Sequence, residues 1–350
     1  MTTPPPDPGH VPGPATRLRP GPLTEQQGVD LARAAHQAPS IHNTQPWRLL
    51  PLPDGIDVLE DPDRALPGTD PRGRDRAISC GAAVRNAEVS LARLGFAPVT
   101  TVLPDGDDGP RVASVRVASA VDRGSAQGRA RAELLYRAVW TRRTHRRIFL
   151  SSQGSTDLPD AVRDAVRAPG VRLEVVPPSR RDRFAQLLWE AAQLQAADGA
   201  VAPEVRGWTR VHPGGTEADG VPVRSHGTAP FPVDGLLRHP VPATPLAPQW
   251  VTDDLSQGAV AVLLTAADTR ADWVRAGMAL EAVLLAVTVA GLVASFINQP
   301  VQQEAFRPRL AALTGGPGYP QAVLRIGRAL VDVPATPRRP LVEVTVPGPG

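Results

Sequence analysis

The sequence predicts an α+β protein in which two related halves pack around a pair of buried helices. Three observations carry that expectation. Gly81, Ala83, Gly95 and Pro104 recur as Gly277, Ala279, Gly291 and Pro300, each displaced by 196 residues (277 less 81, and likewise for the others), and both copies run helix, glycine, strand. The first glycine of each copy lets helices approach closely and the second caps the helix end. Short strand patterns are interleaved with helical ones along the chain, and 42% hydrophobic content over 350 residues supports a large core.

In chain order, residues 1–22 hold eight prolines and almost no large apolar groups, the composition of a disordered tail. Residues 24–37 read as a helix, with Thr24 and Gln27 spaced as a capping box and Val29, Leu31, Ala34 and Ala35 as its apolar side. Pro39 forces Ala38 out of helical geometry and stops it. Strands 47–52 and 56–59 flank the turn Pro53-Asp54-Gly55, and a charged loop covers 61–75. A helix over 76–94 ends at Gly95, followed by strands 99–103 and 112–118, a helix over 127–141 and the cluster Arg142-Arg143-Thr144-His145-Arg146-Arg147. Mixed helix and strand carries the chain to Trp208. Residues 212–248 hold eight more prolines and little periodicity, a linker or a functional lid. Strand 259–265, helix 272–290, strand 293–297, helix 303–313 and strand 322–326 complete the order. The halves are 23–125 and 126–350.

Composition excludes several functions. All 38 basic residues are arginine, so Schiff-base and P-loop lysine chemistry are ruled out. The net charge of +3 is small for this length, with 35 acidic residues interspersed, and nucleic-acid binding is not indicated. The single cysteine, Cys80, rules out an internal disulfide and sits in an apolar helical pattern. Seven scattered histidines without a His-x-x-x-His pair argue against structural zinc. There is no signal-peptide pattern, so a cytoplasmic location is expected. The apolar run 276–297 is about the length of a membrane span, but its glycines and alanines read as a helix buried in protein. No nucleophile triad and no Gly-x-Gly-x-x-Gly motif is present.

The stretch Ala38 to Trp47 stands out. Ser40, His42, Asn43, Thr44 and Gln45 crowd polar side chains between two prolines. Taken alone it is equally a functional loop or a chance turn. Its order, Ala-Pro-Ser-x-x-Asn-x-Gln-Pro-Trp, resembles the flavin-contacting loop of the nitroreductase superfamily, and with His42 inside it is most similar to the Acg-like branch of actinobacteria. That resemblance implies the nitroreductase fold, here as an intramolecular pseudo-dimer, and a non-covalent FMN contacted by Pro39, Ser40, Ile41, Asn43 and Gln45.

FMN needs cations for its phosphate dianion and a donor or cation near flavin N1 and O2, where reduction places negative charge. The 142–147 cluster alone would read as a solvated turn. Together with Phe149 it resembles the family's Arg-Arg-Ser start motif, which implies phosphate at Arg142, the ribityl chain at Thr144 and the N1/O2 edge at Arg146. Pro337-Arg338-Arg339-Pro340-Leu341 resembles the closing phosphate-binding pair, implying roles for Arg338 and Arg339. Residues 277–292 and 320–327 resemble later Acg-like signatures, whereas His145, Ile148 and Arg328 depart from the branch's pattern. The loop motif lies in the first half and the arginine motifs in the second, so one FMN site is expected between the halves of a monomer.

The resemblance implies NAD(P)H as a transient donor and a nitro compound or quinone as acceptor at flavin N5. The alternative is an FMN store closed by the 212–248 loop without turnover. His42 reads either as a proton donor or as a loop histidine whose hydrogen bonds are satisfied.

Overall fold

A computed structural model describes residues 22–118, 126–147, 149–150, 157–210, 217–222, 225 and 255–347. The expected N-terminal tail and most of the 212–248 segment lie outside those residues. Helix α1, Glu25–His36, starts on the expected capping box: Gln27 N donates to Thr24 Oγ1 at 3.2 Å and Thr24 N to Gln27 Oε1 at 2.9 Å. Its Leu31, Ala32 and Ala35 enter the main core. Strands β1 (Trp47–Leu52) and β2 (Gly55–Glu60) form the expected hairpin. Helix α2, Arg74–Arg93, is followed by β3 (Pro98–Val102) and β4 (Arg111–Val117). These strands make an antiparallel sheet of order β1-β2-β4-β3.

The second half repeats this arrangement. Helix α3 (Ala126–Thr141) leads to β5 (Val171–Val175), then helices α4 (Arg181–Ala197) and α5 (Val201–Gly207), and a short parallel pair, β6 (Thr209–Arg210) with β7 (Val221–Pro222). Strand β8 (Ala259–Thr265), helix α6 (Arg270–Val289), β9 (Val293–Phe296) and β10 (Tyr319–Gly327) follow. The second sheet has order β5-β8-β10-β9, also antiparallel. Matching β2 to β8, α2 to α6, β3 to β9 and β4 to β10 gives the two sheets one strand order.

The correspondence extends to single hydrogen bonds. Both limits of α6 lie 196 residues beyond those of α2 (270 less 74, 289 less 93). Gly95 and Gly291 both take left-handed φ, +88° and +69°. Gly95 N donates to Ala92 O and Phe96 N to Leu91 O; Gly291 N donates to Thr288 O and Leu292 N to Val287 O, the same bonds at the same displacement. The helices cross at the repeated glycines. A Cβ on Gly81 would overlap the Val274 carbonyl and lie 3.0 Å from Gly277 Cα; one on Gly277 would overlap the Ile78 carbonyl and lie 2.9 Å from Gly81 Cα. Position 274 is 78 displaced by the same 196, so each contact maps onto the other.

The chain departs from its sequence pattern in a few places. The later helix begins at Arg307 instead of 303, because residues 304–306 form a separate 3-10 turn and Pro308 suits a first helical turn. Strand β10 starts early, at Tyr319, with a bulge between Pro320 and Ala322. Helix α6 starts two residues earlier than expected, on a second capping box of Thr269 and Asp272. Cys80 is buried, its thiol donating to Pro46 O. Among the described residues no helix is long and apolar enough to cross a membrane, and the apolar run 276–297 divides at Gly291 into the end of α6 and β9.

Alanine at Gly81 or Gly277 should lower stability by up to about 2 kcal/mol in urea denaturation. Overpacking against backbone costs roughly 1–3 kcal/mol and outweighs the gain of about 1 kcal/mol in helix propensity. Unchanged or raised stability would contradict the close crossing.

Candidate functional site

The loop between α1 and β1 is strained. His42, Asn43 and Gln45 all take left-handed φ, at 45°, 57° and 52°, conformations that cost energy for side chains with a Cβ and cluster at functional sites. The surroundings hold them there. Ile41 N donates to Ser79 Oγ at 3.1 Å, and Ser79 Oγ donates to Asp75 O at 2.7 Å, anchoring the loop to the first turns of α2. Gln45 N donates to Ser40 Oγ at 2.9 Å. Trp47 Nε1 donates to His36 Nδ1 at 3.0 Å, and His36 Nε2 lies 2.9 Å from Arg339 O, which fixes the tautomer with the proton on Nε2.

Pro39, Ser40, Ile41 and His42 form one wall of a cavity. Asp75, Ile78, Ser79 and Ala82 of α2 continue it, and the opposite side comes from the second half: Arg146, Leu280, Phe296, Asn298 and Gln321. The cavity therefore lies between the halves. His42 is not a satisfied loop histidine: its Nε2 is buried without a hydrogen-bond partner. Burial pushes its pKa down to about 4 against the pull of Asp75 and Glu204, so the ring is neutral near pH 7.

The 142–147 segment runs extended beside β9, bridged through Thr144 and Ala294, with His145 N donating to Ala294 O at 2.8 Å. Alternation puts 142, 144 and 146 on one side and His145 on the other, where His145 is buried against Phe149. Arg142 is buried, and its Nε and Nη1 have no hydrogen-bond partner; its nearest carboxylate, Glu281, is 3.7 Å away. Arg146 lines the cavity with Nη1 likewise unpartnered. Burial and the charge of Arg142 lower its pKa to about 10, leaving it a cation. Buried guanidinium nitrogens without acceptors suit an anionic, acceptor-rich group.

The closing arginines are placed otherwise than as free phosphate ligands. Arg338 donates to His36 O, Gln37 O and Ala38 O at 3.0, 3.0 and 3.2 Å, and to Asn43 Oδ1 and Thr336 Oγ1 at 3.1 and 2.9 Å. It thus caps α1 and holds the loop in one move. Arg339 faces Glu343 and Asp61. Asn43 and Gln45 also turn to the protein. Asn43 Nδ2 donates to Gly220 O and Pro337 O, Gln45 Nε2 donates to Ala218 O, and Gln45 Oε1 accepts from Arg339 N. Of the ten expected site residues, Pro39, Ser40, Ile41 and Arg146 line the cavity, Asn43, Gln45, Arg338 and Arg339 brace the loop around it, and Arg142 and Thr144 lie on the same segment as Arg146 but outside the cavity lining.

Two features escaped the sequence reading. A relay of amides lines the far wall: Gln195 Nε2 donates to Gln302 Oε1 at 3.0 Å, and Gln302 Nε2 to Asp75 Oδ2 at 3.2 Å. Gln321, fully buried in β10, lines the same cavity but donates to Thr265 Oγ1 and Asp268 Oδ1 instead of joining the relay. The second is the described piece of the proline-rich segment, residues 217–222. Asp219 bridges Arg64 at 2.6 Å and Arg210 at 2.5 Å, and both arginines lie over the ring of Trp208, which itself lines the cavity.

No family model matches the chain. A Mycobacterium tuberculosis protein named NAD(P)H nitroreductase Acg is 32% identical over 323 residues, covering 89% of this chain and 92% of its own length. A second nitroreductase-named protein of that organism is 34% identical over 321 residues, covering 89% and 88%. Two solved structures align more loosely. The FMN-bound nitroreductase of Bacteroides fragilis has 14% identity and TM-score 0.35, over 57% of this chain and 93% of that one. The FMN-dependent nitroreductase NfnB of Mycobacterium smegmatis, in complex with NADPH, has 20% identity and TM-score 0.37, over 61% and 96%. At those scores the alignments carry no argument.

His36 supplies a pH test of the braced loop. Burial and the neighbouring Arg338 and Arg339 lower its pKa to about 4, against an opposing backbone hydrogen bond. Because the folded value lies below the ordinary 6.5, the unfolded state takes up the proton first, and stability is lost as pH falls from 6.5 towards 4. The stability of wild type relative to His36→Gln should be constant above pH 7 and shrink by up to about 3 kcal/mol by pH 4. A difference that does not vary with pH would mean that His36 is not held neutral.

Proposed function

Because this chain belongs to the nitroreductase superfamily, in its Acg-like branch, we propose that it binds one FMN between its two halves and serves as an NAD(P)H-dependent reductase of nitro compounds or quinones. The observation that carries the reading is the set of buried, unpartnered guanidinium nitrogens on one extended segment, Nη1 of Arg146 in the cavity walled by Pro39 to His42 and Nε and Nη1 of Arg142 four residues before it. Bound there, FMN would supply hydride transfer at N5, chemistry that no side chain of the cavity offers.

The chain's own residues do the rest. Arg142 holds the phosphate, the Thr144 hydroxyl faces the ribityl chain, and Arg146 sets a cation against the edge that gains negative charge. The strained loop carries Pro39, Ser40 and Ile41 against the ring, with Asn43, Gln45, Arg338 and Arg339 fixing its shape. Neutral His42 has an imidazole nitrogen free to hydrogen-bond an acceptor molecule or the cofactor. The matching sheets and the reciprocal glycine contacts support two fused halves, 23–125 and 126–350, as an internal pseudo-dimer.

The storage reading has its own support: the Ala218 and Gly220 carbonyls are tied to Gln45 and Asn43, and Asp219 is clamped between two arginines. The purified protein should be yellow and bleach on anaerobic addition of NADPH. A yellow protein that does not bleach would favour storage, and a colourless protein that takes up no FMN would reject both readings. Arg142→Ala should weaken FMN binding about ten- to a hundredfold, the worth of a charge-assisted bond, whereas Arg72→Ala, outside the cavity, should not. Equal FMN affinity in the Arg142 variant would overturn the phosphate assignment. Asp219→Ala should speed reduction of bound flavin if segment 217–222 restricts access, and unchanged kinetics would leave that segment as a brace only.

A further inference from the structure

Glu281 is a charged residue in the middle of an apolar helix. It sits on α6, fully buried, between Ala279, Leu280, Ala282 and Val283, where a carboxylate carries a large desolvation penalty unless paired. Its pairing is poor. Arg142 Nε is 3.7 Å from Oε1, too far for a hydrogen bond, and neither carboxylate oxygen has a partner at hydrogen-bond geometry. The groups facing it come from each element packed around it. Asn86 and Arg85 are contributed by α2, Arg142 by the segment after α3, and Arg338 by the C-terminal stretch. Arg338 spends its donors on carbonyls, an amide and a hydroxyl, and Arg85 donates to Glu88 at 2.8 Å. Arg85 Nε and Arg142 Nε and Nη1 keep no hydrogen-bond partner, and of these two cations Arg142 is the one within ion-pair distance of Glu281.

Resting on the phosphate assignment of Arg142, we propose that Glu281 is the resident counter-ion of that arginine and a specificity-determining residue: a bound phosphate displaces its claim on Arg142, and Glu281 then takes up a proton. An ionised carboxylate beside a phosphate dianion in a dry site would be repelled by it, and protonation removes that repulsion. Burial already raises the Glu281 pKa to about 7, against the pull of Arg142, so the proton is available near neutrality. The consequence is a pH-dependent preference for phosphorylated over unphosphorylated flavin. Above pH 7.5 the ligand's own phosphate is fully ionised, its second pKa being about 6, and any remaining slope belongs to the protein.

The test measures FMN and riboflavin binding to the flavin-free protein by quenching of flavin fluorescence between pH 7.5 and 8.5, with calorimetry at pH 8 in two buffers of different ionisation enthalpy to count protons. Wild type should lose up to about tenfold in FMN affinity across that unit, the slope of one proton taken up. Riboflavin binding should be flat, and Glu281→Gln should bind FMN with no slope and no proton uptake. A slope shared by riboflavin, or the same proton uptake in Glu281→Gln, would overturn the inference. Should that variant fail to fold, a wild-type slope equal for FMN and riboflavin still overturns the inference, since a group facing the phosphate separates the two ligands. Absence of FMN binding to wild type at every pH would instead overturn the flavin reading on which the inference stands.

Discussion

The approach of α2 to α6 at Gly81 and Gly277 sets the rest of the structure. Backbone meets backbone there, with Val274 O over one glycine and Ile78 O over the other, so the distance between the two halves is fixed by atoms that cannot rearrange. Each sheet is attached to its helix through a short glycine-capped turn. Close helix contact therefore brings the β9 edge of one half, and the 142–147 segment beside it, up to the loop that precedes β1 in the other. The cavity is what remains between them.

That geometry explains why the polar side chains divide their work. The C-terminal stretch crosses from β10 back to the first half, where Thr345 bridges to Leu49 and Val346 N donates to Leu49 O. On the way it delivers Arg338 to the end of α1. Three exposed carbonyls and a left-handed loop would otherwise lack partners, and one guanidinium fork satisfies them. Arg142, by contrast, follows the last residue of α3 and keeps Nε and Nη1 without hydrogen-bond partners. Two arginines of similar sequence context thus differ, one spending its donors as a brace and the other keeping nitrogens without partners.

Much of this was legible in the sequence, for local reasons. Thr24 and Gln27 declare a capping box, Gly95 and Gly291 declare left-handed helix ends, and the 196-residue displacement of small residues reports a shared packing constraint. The second capping box, Thr269 with Asp272, carries the same signal, but the apolar pattern begins only at Trp273 and so points to a later start. The loop motif led to Pro39, Ser40 and Ile41 at the cavity, and the arginine cluster to Arg146. What could not be read was how donors are spent. Five guanidinium donors fit a phosphate or a row of carbonyls equally well, so Arg338 and Arg142 look alike until the fold assigns partners. The amide relay was hidden for a similar reason: Gln195 and Gln302 are 107 residues apart, and glutamine on a helix is ordinarily a solvated residue.

The central claim is that one chain, through its two unlike halves, builds one complete flavin site. Light scattering to fix the mass of the particle in solution, combined with absorbance of the released flavin, tests it most directly. The account predicts one FMN per chain with the monomer sufficient to hold it. Two flavins per chain, or flavin retained only when two chains associate, would contradict it.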